Sequence, residues 1–567
     1  MSTPVRQGLL ISGKGGRDMT QTNVTALPPK ALKAQPFAGD SKEILGSLRS
    51  KELFFAVVGP VGAGGSRAIK SLSRACEEAG YQQEYIRVSE LIKAWAIEQG
   101  KSLPSFERRT LNDVKLLQDL GDEMRKGDPA ALARVTLAEI ARRRAKRTGA
   151  NFVLGEAVAP GEEKVAYLID SIRHPAETNL FRRTYANAFA LVGVVCEERE
   201  RMKRILGKYL TLPEQQNEAL VAQAKAFIAR DADDEGVTYG QHVSKAFFEA
   251  DFFVDNTTKD VTDTYQYLDE PLLRLVGIVS HERLIRPTIE ETAMHHAHSA
   301  RVRSACLSRQ VGAALVDRDG TVVSTGTNEV PKAGGGVYGE LFAEEAGLDD
   351  RCAFRPEKYC SSNREQNRII DELISAIPEL DIVADRDALR RSLRNTAVGQ
   401  LIEFSRAVHA EMDALLSAGR EGVSTLETRL FVTTFPCHYC ARHIVSAGVD
   451  EVQFIEPYPK SRALDLHKDA ITVDVTRWTP PGSTAEISKE DEEELGLPVG
   501  TIVYGKVLFR PFVGVAPRLY LRAFEKTREL KDRDTGEMKI GRPEWGDEWS
   551  PFVVAYPEIE AALSRAL

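Results

Sequence analysis

The sequence is short of cysteine, of long apolar runs and of positive charge, and each shortage excludes something. Seven cysteines in 567 residues are sparse and odd in number. They argue against a disulfide framework and for a reducing cytoplasm, where thiols stay free or hold metal. No apolar run reaches the length that a bilayer requires, and the first residues lack the apolar core of a secretion signal. Neither a membrane span nor a leader is expected. The net charge of −8 argues against a general nucleic-acid binder, so an anionic ligand has to be met by a local basic cluster. The remaining composition, 43% hydrophobic and 28% charged, is that of ordinary globular domains. The length exceeds one domain and suits two large ones with tails.

The densest chemistry lies between residues 407 and 448. His409-Ala410-Glu411 is followed by Pro436-Cys437-His438-Tyr439-Cys440. One histidine and two cysteines supply three ligands to Zn²⁺ and leave the fourth position for water. Glu411, two residues after the histidine, is placed to handle protons without binding the metal. The residues after His409 read as a helix, 429–434 as a buried strand, and Pro436 as the opening of a second helix. Cys437 and Cys440, three apart, share one face of that turn, where the helix dipole favours thiolates. A structural zinc knuckle normally takes four protein ligands, and no second CxxC exists in the chain. The pattern H-x-E…P-C-x-x-C is the signature of zinc nucleobase deaminases.

In the N-terminal half, the apolar run 53–58 leads into Gly59-Pro60-Val61-Gly62-Ala63-Gly64-Gly65-Ser66 and then a helical pattern. Strand, glycine loop and helix form the context of a phosphate-binding loop. Gly59, Gly64 and Ser66 fit G-x-x-x-x-G-K-[ST], but Gly65 occupies the lysine position. The expected nucleotide-binding set is Gly59, Gly62, Gly64, Gly65, Ser66 and Asp170, the last closing a strand where a magnesium-binding acid would sit. The ligand class is ATP, GTP or another nucleotide, held by backbone N–H groups; the bland alternative is a plain strand-to-helix turn. Apolar runs at 84–88, 165–169, 189–195 and 251–254 alternate with helical segments, the rhythm of a parallel α/β sheet. Arg199, Arg201, Lys203 and Arg204 suit a lid over a nucleotide or a solvated helix face. The basic run 139–147 reads as an exposed helix end, with a nucleic-acid contact as the sharper alternative.

The expected organisation is a tail at 1–48, a nucleotide-kinase-like parallel-sheet domain at 49–278, an α/β/α domain with a mixed sheet at 279–530, and an extension at 531–567. The fold class is α/β throughout. Residues 311–316 and 321–325 form a hairpin around Asp319-Gly320. An insertion at 332–406, carrying Cys352 and Cys360, suits a lid or an oligomer contact. Those cysteines with His295, His296 and His298 have the ligand types for a second zinc site.

Residues 286 to about 480 resemble the deoxycytidylate deaminases. Ser304-Ala-Cys-Leu-Ser-Arg-Gln-Val-Gly-Ala313, Gly326-Thr-Asn328, His409-Ala-Glu411 and Pro436-Cys-His-Tyr-Cys440 occur in the family's order. With the kinase-like domain in front, nearly the whole chain resembles the bacterial anti-phage dCTP deaminases. The resemblance implies zinc at His409, Cys437 and Cys440, with Glu411 as proton shuttle. It also implies a sugar contact from Asn328, whose alternative role is to cap a strand end. Arg309 and Lys332 are the phosphate candidates, and Tyr458 is expected at the border of the base. The implied activity converts dCTP or dCMP to dUTP or dUMP and depletes the dCTP pool in phage-infected cells, under control of the N-terminal domain. An inhibitory small RNA and a homo-oligomer are the implied partners. Two other classes remain open: a deaminase acting on cytosine or adenine within a polynucleotide, and a nucleotide-sensing or RNA-binding regulatory protein.

Overall fold

The computed structural model describes residues 50–104, 110–232, 239–257, 266–281, 284–339, 349–458, 461–475, 478–486, 498, 502–525, 531–538 and 556–565. The expected tail 1–48 lies outside them. Among the described residues, no helix is long and apolar enough to cross a membrane.

Strands β1 (Glu52–Val58), β2 (Gln82–Ile86), β3 (Val165–Ile172), β4 (Phe189–Val195) and β5 (Phe252–Asp255) are parallel neighbours in the order β5-β4-β1-β3-β2. Every residue of β1 and β4 is buried. Burial on both faces is what a near-continuous apolar run demands, and helices on both faces provide it. The second sheet comprises β6 (Gly312–Val316), β7 (Val322–Thr327), β8 (Arg429–Thr434), β9 (Glu451–Glu456), β10 (Ile471–Thr472) and, after the small β11 (Thr484–Glu486) and β12 (Ile502–Tyr504) pair, β13 (Val507–Pro511). Its order is β10-β13-β9-β8-β6-β7. β6 is antiparallel to β7 and β8, while β8, β9, β13 and β10 run parallel. The protein is thus two α/β units, one with a parallel sheet and one with a mixed sheet. The hairpin turns at Gly320, whose φ of 89° is open to glycine at little cost.

Two glycines set how closely helices sit on the second sheet. A Cβ at Gly312 would run into the Ala297 carbonyl, and one at Gly326 into the Ala410 carbonyl. The helix Ala410–Arg420, which carries Glu411, is therefore pressed directly onto β7.

One hydrophobic core runs through both units, and the second sheet has a further core of its own around Ala410 and Cys440. β14 (Gly514–Val515), inside the stretch expected to belong to the second domain, pairs antiparallel with β5 and becomes the sixth strand of the first sheet. Glu291, 1% exposed, accepts from Arg274 at 2.6 and 2.7 Å and from the Val515 N–H at 2.8 Å. It also completes a capping box with Thr288 at the start of the helix Ile289–Arg301, so one carboxylate ties the link between the units to β14. The expected extension returns as well: the helix Tyr556–Ser564 packs on Ala131–Thr148.

That docking changes the reading of the basic run 139–147. Arg144 is fully buried between Glu52 and Glu560. Arg143 pairs with Glu84 and Glu139, Arg142 with Glu139, and Arg147 with Glu84 and Glu163. The four arginines are committed to carboxylates, so the free charge that a nucleic-acid patch needs is largely spent, while Arg142 and Lys146 stay exposed at the helix end as expected. Apart from Glu139, the partners lie far away in sequence, which hid the burial of Arg144.

Candidate active site

His409 is the N-cap of the helix Ala410–Arg420, and Cys437 is the N-cap of the helix His438–Ser446. Pro436 was expected to open the second helix; it lies one residue ahead of the cap instead, its carbonyl accepting from Ser461 Oγ at 2.8 Å. Cys437 Sγ lies 3.3 Å from His409 Nδ1, and Cys440 Sγ lies 3.4 Å from it. The Cys440 N–H points at Cys437 Sγ at 3.5 Å. A tetrahedral zinc with bonds of about 2.3 Å to sulfur and about 2.0 Å to nitrogen separates neighbouring donors by about 3.5 Å. The three donors fit that ion. Among the described residues they are the one group of three or more such ligands close enough to hold a metal.

The electrostatics of the metal-free donors are those of a thiolate beside an imidazolium. Hydrogen bonds from Cys440 and His409 hold the Cys437 thiol down to about 4. The bond to Cys437 pushes His409 up to about 9, and hydrogen bonding to the same sulfur raises Cys440 well above the ordinary thiol range. Glu411 is 4% exposed, and burial pushes its carboxyl up to about 7. A carboxyl poised near neutrality is suited to taking and returning protons.

Among the described residues, His295, His296, His298, Cys352 and Cys360 form no second zinc site. His295 stacks on the Tyr520 ring at 4.2 Å, on the face of the helix Ile289–Arg301 that meets Pro517–Phe524. Cys352 and Cys360, with Cys306, line the cavity over the first site. The shared ligand types belong to different neighbourhoods.

That cavity has a volume of about 590 Å³ and runs from His409, Glu411 and Cys437 to the insertion. Asn328, Arg309 and Tyr458 line it; Lys332 is not among its lining residues. Asn328 Oδ1 accepts from the Val311 N–H at 2.6 Å, and its Nδ2 donates to the Arg309 carbonyl at 2.7 Å. Its amide therefore shapes the wall, and one lone pair and one N–H remain for another partner. The Arg309 guanidinium lies 5.7 Å from the Tyr458 ring centroid. The insertion supplies the opposite wall, including Ser361, Asn363, Arg394 and Arg406. Arg394 and Arg406 escaped the sequence reading because nothing in a charged, irregular insertion shows which arginines turn inward.

In the first unit, Gly59, Gly62, Gly64, Gly65, Ser66 and Asp170 all line a cavity of about 640 Å³. Asp170 Oδ1 accepts from the Val88 N–H at 3.0 Å and Oδ2 from the Tyr85 hydroxyl at 3.0 Å. It thus anchors the β2–helix junction at the cavity edge. Arg204 reaches the cavity, while Arg199, Arg201 and Lys203 are not in its lining. Lys70, Arg173 and Lys208, none of them singled out by the loop motif, bring further positive charge.

Residues 287–456 match the cytidine and deoxycytidylate deaminase zinc-binding region. The chain is 26% identical over 171 residues to the deoxycytidylate deaminase of Enterobacteria phage T4, a match that spans 30% of this chain and 79% of that protein. The structure of the dCMP deaminase from cyanophage S-TIM5 in apo form aligns over 40% of this chain and 100% of its own, at 17% identity and a TM-score of 0.19. A gluconokinase from Sinorhizobium meliloti 1021 aligns over 40% of this chain and 95% of its own, at 16% identity and a TM-score of 0.20. With His409, Cys437 and Cys440 inside the matched stretch, the C-terminal half of the chain carries the zinc-binding domain of the cytidine and deoxycytidylate deaminases.

Proposed function

We propose that the chain hydrolytically deaminates free deoxycytidine nucleotides, dCTP or dCMP, to the deoxyuridine nucleotides. One observation carries the reading: Glu411, a buried carboxyl that is not one of the three metal donors, shares a nucleotide-sized cavity with His409 and Cys437 of that site. Zinc held by His409, Cys437 and Cys440 would supply Lewis acidity and an open position for water. Glu411 takes the proton that water gives up as its oxygen adds to C4 of cytosine, and delivers it to N3. A second transfer through Glu411 protonates the 4-amino group. The C4–N bond then breaks, ammonia leaves and the C4 carbonyl remains. Asn328 offers its spare N–H and lone pair to the sugar. Arg309 meets phosphate, and Tyr458 borders the base.

The finer setting is part of the same proposal. A kinase-like unit fused to the deaminase suits an enzyme that depletes the dCTP pool during phage infection and is restrained until then. An inhibitory small RNA and a homo-oligomer belong to that setting. The polynucleotide alternative is less well supported, because residues 360–406 wall in the cavity where a strand would have to pass.

The test is to incubate the zinc-loaded protein with dCMP, dCTP, CTP and single-stranded DNA and follow loss of the 4-amino group. Turnover of dCTP or dCMP is expected. Conversion of single-stranded DNA with no turnover of free nucleotides would overturn the reading.

A further inference from the structure

The cavity of the first unit holds two features that its glycine loop does not explain. Gln118, on the helix Leu111–Arg125, lines it. The residue is 7% exposed, yet among the described residues neither its amide oxygen nor its amide nitrogen has a hydrogen-bond partner. A buried carboxamide with both functions unanswered is costly and calls for a partner. Its neighbours in the wall, Ile92, Val114, Leu117 and Leu132, are apolar and suit a flat ring. Nucleobase edges present the adjacent donor and acceptor that a carboxamide matches.

The second feature is Asp231, in the last turn of the helix Glu218–Ala232. Its Oδ2 accepts from the Val61 N–H, a backbone donor of the loop, at 2.7 Å. Its Oδ1 accepts from Arg173 Nη1 at 2.9 Å, and the same nitrogen donates to the Gly59 carbonyl at 3.2 Å. In a phosphate-binding loop such donors face phosphoryl oxygens, so here a carboxylate of the chain takes the place of one. Gly62 and Gly64 adopt φ of 83° and 91°, backbone that turns successive N–H groups toward an anion. Lys70, Arg173, Arg204 and Lys208 line the cavity against Asp170 and Asp231, while Arg125, also in the wall, is neutralised by Asp122 and Glu177. The positive excess compensates for the glycine at position 65.

We propose that this cavity binds a nucleoside phosphate, with the base against Gln118 and the phosphate on the loop in the place of Asp231. Arg173 then changes partner from carboxylate to phosphate. Asp231 acts as an internal competitor, so only a ligand of sufficient negative charge enters. No group is transferred.

Calorimetric titration of the full chain carrying Glu411→Ala, in which turnover is expected to be about 10²–10⁴-fold slower, tests this. The probes are ATP, GTP, the four deoxynucleoside triphosphates and inorganic triphosphate. At least one nucleotide is expected to bind at a site that Arg173→Met weakens. Asp231→Asn should tighten inorganic triphosphate by about tenfold, because a competing charge is lost. Gln118→Leu should weaken the bound nucleotide by about tenfold, the worth of a hydrogen bond to the base, and leave inorganic triphosphate unchanged. Gln118→Met, which keeps the length and removes both amide functions without adding charge, replaces the leucine variant if that one melts early. The proposal is overturned if no probe binds outside the deaminase cavity, if Gln118 substitutions leave every nucleotide unaffected, or if Asp231→Asn leaves inorganic triphosphate unaffected. None of these residues touches the Glu411 cavity, so failure here leaves the deaminase reading intact, and the reverse also holds.

Discussion

Arg144 Nη1 and Glu560 Oε2 lie 2.6 Å apart, each side chain 1% exposed, although 416 positions separate them in sequence. Glu52 holds the other side of the same guanidinium at 2.9 Å, and the Tyr185 and Tyr556 hydroxyls donate to the two carboxylates. One cation therefore serves two buried acids.

Arg144→Met should be far more damaging than Glu560→Gln. The first leaves two buried carboxylates facing each other, a loss of about 3–5 kcal/mol. The second leaves Arg144 paired with Glu52 and should cost about 1 kcal/mol. Burial already pushes Glu560 up. Its contribution is therefore present at low pH and lost as pH rises through its folded-state value. Without Arg144 it rises further, the folded state holds more protons than the unfolded one, and stability falls as pH increases. Urea titrations at pH 5 and pH 8 should show the Arg144→Met deficit growing toward pH 8; a deficit independent of pH would contradict the arrangement.

Zinc uptake should be coupled to proton release. Cys437 is already a thiolate at neutral pH, while His409 and Cys440 are protonated. Binding at pH 7 is expected to expel about two protons, and affinity should rise with pH. Calorimetry in buffers of different ionisation enthalpy gives the count. Cys437→Ser and Cys440→Ser should each lose the metal by elemental analysis.

Glu411→Ala should keep zinc and the melting temperature but lose about 10²–10⁴ in turnover, since the carboxylate moves protons and holds no metal. Retained zinc with retained turnover would remove Glu411 from the mechanism.

Arg394→Ala should raise KM for dCTP by about tenfold, the worth of one charge-assisted contact to phosphate. The same substitution should leave deoxycytidine, which carries no phosphate, unaffected. Lys332→Ala, outside the cavity lining, should change neither. Equal effects of Arg394→Ala on both substrates would assign the residue to the cavity wall alone.

The metal site was legible because its parts are local: two helix starts and one strand bring His409, Cys437 and Cys440 together within 32 residues. The strand rhythm of the first sheet was legible for the same reason, with β1 and β4 buried along their whole length and β3 along most of it. What escaped was long-range. Nothing around residue 514 announces a strand for the other sheet, since two residues carry no periodicity. Arg143, Arg144 and Arg147 looked solvated because the carboxylates at 52, 84, 163 and 560 are distant in the chain. Histidines 295 to 298 and the cysteines at 352 and 360 had the right chemistry for zinc, but ligand type without proximity makes no site.

β14 has a consequence for how the chain is made and inherited. The first sheet gains its sixth strand only after residue 515 has left the ribosome, when the second sheet is already complete in sequence. Translation that halts between the units would leave β5 with a bare edge open to other chains. Recombination that exchanged one unit for another would have to carry residues 514–515 along with it. The two halves are therefore a single heritable unit, joined by hydrogen bonds as well as by the peptide between them.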